Sequence, residues 1–380
     1  MRAVRFHGAR DIRIDEIEEP SCGVNQAKVR SKTFLESLSV MSLESRDRLH
    51  SSANNISKIR PAFVGICGSD LYEYLSGPSA VPTSPHPLTG EKLPTTLGHE
   101  FSGTIEEVGE DVIDFKVGEK VTVMPNLYDG TCVRCMLGKL HQCRSLGFIG
   151  YSGNAGGLSD HIVVRKEQVI RLPDSIPLDI GGKPSKVPRL STMPFKIRGE
   201  KSLTGHNPAL VEPLAVAWHA VSQSPLQEKV EENDIALVIG AGPIGLAIVQ
   251  VLKSKGVKTI IATDISRKRR ESADSFGATL VLDPTEVDVV SQVRGLTTDG
   301  GASVAFECSG VQSGLDSAIS GTRPCGTTVI VSKWGKRATI DVFDVMLHEK
   351  HLVGAVVYER KDFEAVIDAI DSGMFDAFRA

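Results

Sequence analysis

Residues 235–252, IALVIGAGPIGLAIVQVL, constrain the fold of this chain more than any other stretch. The run is apolar enough to suggest a membrane span, but three glycines and a proline interrupt its middle, where a spanning helix needs continuity. A β-strand, a tight turn and a buried helix fit the same residues better. The turn, GAGPIG at 240–245, carries the spacing G-x-G-x-x-G between that strand and that helix. Gly240 permits the sharp turn, Gly242 lets backbone approach a pyrophosphate, and Gly245 lets the helix pack close to the strand. Pro243 and Ile244 complete the same phosphate-facing loop. The helix N-terminus offers unpaired N–H groups and a positive dipole end to the phosphates. Asp264 ends the next strand nineteen residues beyond Gly245, where a carboxylate binds the ribose hydroxyls of NAD and repels a 2′-phosphate. Arg269 belongs to the adjoining basic run Arg267 to Arg270 and is also a candidate for cofactor contact.

The alternation continues through KTIIATD, SRKRRESADSFGA and TLVLD, the texture of parallel βαβ units. Upstream the pattern changes. Around 98–125, short stretches alternate apolar with polar residues, as at Val117, Val121 and Val123, and Gly109 and Gly118 break them. That pattern suggests a small barrel or sandwich. The expected fold class is therefore α/β, a β-rich domain over 1–222 followed by a doubly wound parallel-sheet Rossmann domain over 223–346. A chain of 380 residues is long enough for both cores.

A net charge of −4 leaves no global positive field, which argues against nucleic acid as a partner. The opening MRAVRFHGARDIRIDE lacks the apolar core of an export signal, so the expectation is a cytoplasmic protein with no membrane partner. Three of the seven cysteines crowd into 132–143, which in that setting favours metal ligation over disulfides. Further metal-ligand types stand at Cys67 in GICGSD, His99 and Glu100 in LGHE, and Glu212 in VEPLAVAWHA. Each alone has an ordinary explanation: a buried thiol, a satisfied histidine, a carboxylate near a helix N-terminus. Asp70 reads as a turn or cap residue.

Taken in order, GICGSD, LGHEFSG, VGEKV, GFIG, VEPLAVAWHA and GAGPIG resemble the zinc-dependent medium-chain dehydrogenases, most of all the branch of 2,3-butanediol and sorbitol dehydrogenases. The resemblance implies a GroES-like fold for the β-rich domain. It implies catalytic zinc on Cys67 and His99, with Glu100 or Glu212 as the carboxylate ligand. A second, structural zinc is implied on Cys132, Cys135 and Cys143, with Asp129 standing where the family's first ligand falls. Ser69 matches the hydroxyl that takes the alcohol proton, whereas Tyr72 stands where relatives continue that relay with histidine. Ser309 in ECSG and Val331 in VSKW fall where the family's backbone meets the nicotinamide ring. The implied reaction is hydride transfer between NAD and a small-molecule secondary alcohol or polyol, with 2,3-butanediol the leading candidate, in a homo-oligomer.

Two segments depart from that frame. Removing Ser31 to Arg60 joins QAKVR to PAFVGICGSD, and removing Gly182 to Pro208 joins PLDIG to ALVEPLAVAWHA, so both read as insertions of translated non-coding sequence. Residues 347–380 read as a shortened return to the catalytic domain. Two other functions compete: a nucleotide-binding protein inactivated by these departures, and a zinc-free quinone reductase of the same superfamily.

Overall fold

The structure, a computed structural model, describes residues 1–22, 56–153, 155–176, 178, 210–297 and 300–375. It divides into two compact units, Met1–Glu212 and Pro213–Ala380. Residues 31–55 and 182–208 lie outside the described residues.

The first unit is built on β1 (Arg2–Gly8), β2 (Asp11–Glu16), β3 (Ile56–Gly65), β4 (Thr95–Thr96), β5 (Glu100–Val108), β6 (Lys120–Val123), β7 (Asn126–Leu127), β8 (Gly147–Phe148), β9 (Ile162–Arg165) and β10 (Val169–Arg171), with helices α1 (Gly68–Ser76) and α2 (Val133–Met136). A five-stranded antiparallel sheet runs β10-β6-β5-β3-β9, and a three-stranded sheet runs β2-β1-β4. Period-two alternation puts Ile59, Phe101, Ile105, Val121, Val123 and Ile162 into one core. Burying each side chain contributes roughly 1.5–3 kcal/mol. Val117 departs from the expected alternation: it is 62% exposed, just before the turn at Gly118.

The chain carries two similar triplets, KVR at 28–30 and KIR at 58–60, and the sequence reading set the second aside with the insertion. The structure uses it. Lys58, Ile59 and Arg60 belong to β3, where Ile59 pairs with both Ile105 and Ile162. KIR runs without a break into PAFVG on the same strand.

The second unit contains β11 (Ile235–Ile239), β12 (Thr259–Thr263), β13 (Leu280–Leu282), β14 (Ala302–Glu307), β15 (Thr322–Ile330) and β16 (His351–Gly354). Its helices are α3 (Val211–Ser222, which begins at the end of the first unit), α4 (Pro243–Ser254), α5 (Arg267–Phe276), α6 (Val289–Gly295), α7 (Gln312–Gly321), α8 (Val342–Leu347) and α9 (Arg360–Asp371). The six strands are parallel in the order β13-β12-β11-β14-β15-β16, the doubly wound arrangement. Direction of chain progress reverses between β11 and β14, so the loops following those strands flank a crevice.

From residue 347 onward, β16 extends the parallel sheet, pairing His351 with Thr327, and α9 carries the buried Phe363, Val366, Ile367 and Ile370. Both elements fall within the second compact unit. Among the described residues no helix is long and apolar enough to cross a membrane.

Candidate active site

In the first unit, three ligand types from separate stretches meet. Cys67 occupies the position just before α1, and Asp70 folds back so that its Oδ2 accepts the Cys67 amide at 2.9 Å. His99 and Glu100 lie at the start of β5, whose pairing of Glu100 with Gly65 brings the two stretches together. Gly65 leaves room for the Glu100 side chain as it is placed, since a Cβ would stand 2.2 Å from Glu100 Oε2. One donor atom from each of Cys67, His99 and Glu100 lies within 4.8 Å of the others. Glu212 is buried and described but is not part of that cluster. It acts on the cluster by charge: burial first, then the charges of Glu100 and Glu212, push the Cys67 thiol far up. Burial raises Glu100 to about 7 and lowers His99 to about 4. A buried thiol, imidazole and carboxylate that disfavour their ionised or protonated forms together suit a divalent cation, whose charge reverses those shifts.

Asp70, read from sequence as a cap, does more. It is 4% exposed, and its Oδ1 stands 3.6 Å from His99 Nδ1; neither atom makes a hydrogen bond within the described protein. Tyr151 escaped the sequence reading altogether. Its hydroxyl donates to Ser69 Oγ at 2.5 Å, and its ring centroid lies 4.9 Å from that of His99. Phe148 approaches the same imidazole edge-on at 5.4 Å. Tyr72, at the family's histidine position, is 39% exposed on α1. The signal for Tyr151 was its place directly after GFIG, but its partner is 82 residues away.

A second cluster gathers Asp129, Cys132, Cys135 and Cys143, again with donor atoms within 4.8 Å of one another. The Cys132 and Cys135 sulfurs are 3.6 Å apart, and the Asp129 amide donates to Cys143 Sγ at 3.4 Å. Burial works against the Asp129 carboxylate, yet bonds from the Cys132 and Thr131 amides hold it at about 2. It is an anion ready for a metal. Amide donors also lower Cys132 to about 7, whereas burial lifts Cys135 to about 12.

In the second unit, a cavity of about 470 Å³ opens at the reversal point of the sheet. Gly240, Gly242, Asp264, Arg269 and Ser309 line it; Pro243, Ile244, Gly245 and Val331 do not. Gly240 has φ +93°, and a Cβ on Gly245 would stand 1.9 Å from Gly240 O, so both glycines are demanded by sterics. Around Gly242 there is open space within 4 Å, the room a pyrophosphate needs. Asp264 accepts from the Ala241 and Ser266 amides at 3.0 and 2.8 Å, which fixes its carboxylate at the cavity wall, 3.5 Å from Arg269. Pro243 begins α4, whose N-terminus follows Gly242. These residues fit a dinucleotide. Thr285, Asp288 and Cys308 also line the cavity and were not singled out from sequence.

A parallel doubly wound unit with a dinucleotide cavity, joined in one chain to a β-rich unit with two clusters of metal ligands, defines a zinc- and nicotinamide-dependent dehydrogenase. Comparison with known proteins agrees. The alcohol dehydrogenase GroES-like domain family matches residues 54–174 and the zinc-binding dehydrogenase family matches residues 243–372. The chain is 36% identical to the (R,R)-butanediol dehydrogenase of Neisseria gonorrhoeae, over 98% of this chain and 88% of that protein. It is also 36% identical to the Bacillus subtilis (R,R)-butanediol dehydrogenase, over 99% and 90%. The crystal structure of 2R,3R-butanediol dehydrogenase from Bacillus subtilis superposes with a TM-score of 0.77 at 35% identity, covering 100% of this chain and 90% of that one. The chain belongs to the zinc-dependent medium-chain alcohol dehydrogenases, in the butanediol and sorbitol dehydrogenase branch. It is an alcohol dehydrogenase whose cofactors are zinc and NAD.

Proposed function

We propose that this chain oxidises a vicinal diol such as 2,3-butanediol at its secondary carbinol, with Cys67, His99 and Glu100 holding the catalytic zinc. The observation that carries the reading is the convergence of those three donor atoms within 4.8 Å. When bound, zinc supplies a Lewis acid that lowers the pKa of a coordinated alcohol, and NAD supplies the hydride acceptor.

The chain's own residues do the rest. Asp70 fixes Cys67 through its amide and faces Nδ1 of His99, which leaves Nε2 of that ring for the metal. Phe148 and Tyr151 hold the imidazole plane. Ser69 Oγ accepts the proton of the alcohol as its own hydroxyl proton passes on toward solvent; Tyr151 donates to that oxygen and so fixes its orientation. Gly240, Gly242, Pro243, Ile244 and Gly245 serve the pyrophosphate, Asp264 the adenosine ribose, Arg269 the cavity rim, and Ser309 and Val331 the nicotinamide side. Asp129, Cys132, Cys135 and Cys143 hold a second, structural zinc. Glu212 acts at longer range, by its charge on Cys67.

All seven cysteines are unpaired, which supports a reducing compartment, and we place the enzyme in the cytoplasm. We also expect a homo-oligomer, as the sequence resemblance implies. The test of function is metal analysis of the purified chain, expected to give about two zinc ions, combined with NADH formation across a panel of diols and polyols. Turnover confined to primary alcohols, or none with zinc fully loaded, overturns the reading.

A further inference from the structure

Glu307 ends β14 with its side chain fully buried, and neither the metal sites nor the phosphate loop calls for it. Its Oε1 accepts three hydrogen bonds: from the Ser309 amide at 2.8 Å, the Ser309 hydroxyl at 2.6 Å and the Gly310 amide at 2.9 Å. Its Oε2 accepts from the Ser332 hydroxyl. The backbone carbonyl of the same residue accepts from the Val331 and Ser332 amides at 3.0 and 3.2 Å. One residue therefore ties the loop after β14 to the loop after β15.

Burying a carboxylate is costly unless donors replace its water. Here four donors do so, and all come from those two loops. The first loop is also held from the opposite side. A Cβ on Gly240 would lie 3.0 Å from the Ser309 amide nitrogen, and one on Gly314 would lie 2.1 Å from Ser309 Oγ. Ser309 is thus wedged against the GAGPIG turn at the cavity wall.

We propose that Glu307 is a positioning residue for the nicotinamide half of the cofactor: its buried carboxylate sets Ser309 directly and, through the Ser332 hydroxyl, the loop that carries Val331. The proposal rests on reading those two residues as the nicotinamide-side contacts. Hydrogen-bond capacity, not charge, carries the effect: in E307Q the amide oxygen keeps the acceptor role of Oε1, and the amide nitrogen donates to Ser332 Oγ.

The test is fluorescence or calorimetric titration of the full-length protein with NADH and, separately, with 5′-AMP, which lacks the nicotinamide half. E307A weakens NADH by about tenfold or more while 5′-AMP stays within about twofold, and E307Q stays within about threefold for both. S332A, which removes only the bond to Oε2, falls between them for NADH and carries the test if E307A does not fold. Equal weakening of both ligands, or no change in NADH affinity, overturns the proposal. Wild-type protein that binds NADH no more tightly than 5′-AMP defeats the nicotinamide-side assignment itself, and the proposal with it.

Discussion

The Asp70 carboxylate bridges the two ligand stretches of the first unit: one oxygen accepts the Cys67 amide at 2.9 Å and the other stands 3.6 Å from His99 Nδ1. A carboxylate behind a metal-binding imidazole fixes its tautomer and raises its basicity. Replacing Asp70 by asparagine keeps an acceptor for the Cys67 amide and removes the charge facing His99. Zinc affinity at that site then falls about 10- to 100-fold with little change in melting temperature. Competition with a chromophoric chelator measures it, and an unchanged zinc affinity in D70N refutes the role.

The zinc-stripped protein has a distinctive pH response. Burial raises Glu100 to about 7 and Asp70 to about 6, both above their ordinary values. The folded state therefore favours their protonated forms. Their contribution to stability is complete below about pH 4 and is lost as pH climbs through about 6 to 7. His99, lowered by burial to about 4, works in the opposite direction and gains stability as pH rises toward its ordinary value, so the melting temperature of the stripped protein drops mainly as Glu100 ionises near pH 7, and E100Q shows little or no drop. Thermal scans at a series of pH values check this; parallel curves for the two proteins contradict it.

The second cluster offers an oxygen where its other three donors are sulfur. Carboxylate is a harder ligand than thiolate, so D129C retains zinc against a chelator about tenfold longer, whereas D129A releases it faster than wild type. Timed release, followed by metal analysis, reads both variants. If D129A holds its zinc as long as wild type, Asp129 is not a ligand.

How far the sequence discloses this molecule depends on the range of the interactions involved. The dinucleotide unit is legible because its demands are local: the steric need for Gly240 and Gly245 and the acid at Asp264 fall within one βαβ stretch. The candidate metal ligands are legible by chemical type, but their meeting depends on the β3–β5 register, which no short window encodes. The same register takes in Lys58, Ile59 and Arg60, which the sequence alone groups with the insertion. Tyr151 and Glu307 stayed hidden for another reason. A buried phenol and a buried carboxylate look like ordinary residues until their partners, Ser69 and the loop at Ser332, are brought to them by the fold. For α9, periodicity shows which face is apolar but not what covers it.

Diol oxidation by this chain depends, in the function proposed above, on a metal held by Cys67, His99 and Glu100. Its most direct measurement is the rate of NADH formation from NAD and 2,3-butanediol, taken on the zinc-loaded enzyme, after removal of the metal, and after zinc is returned, in wild type and C67S. Stripping lowers wild-type activity about 100-fold or more and reloading restores it, while C67S is inactive at any zinc level. Undiminished turnover in the stripped enzyme, or in C67S, would contradict it.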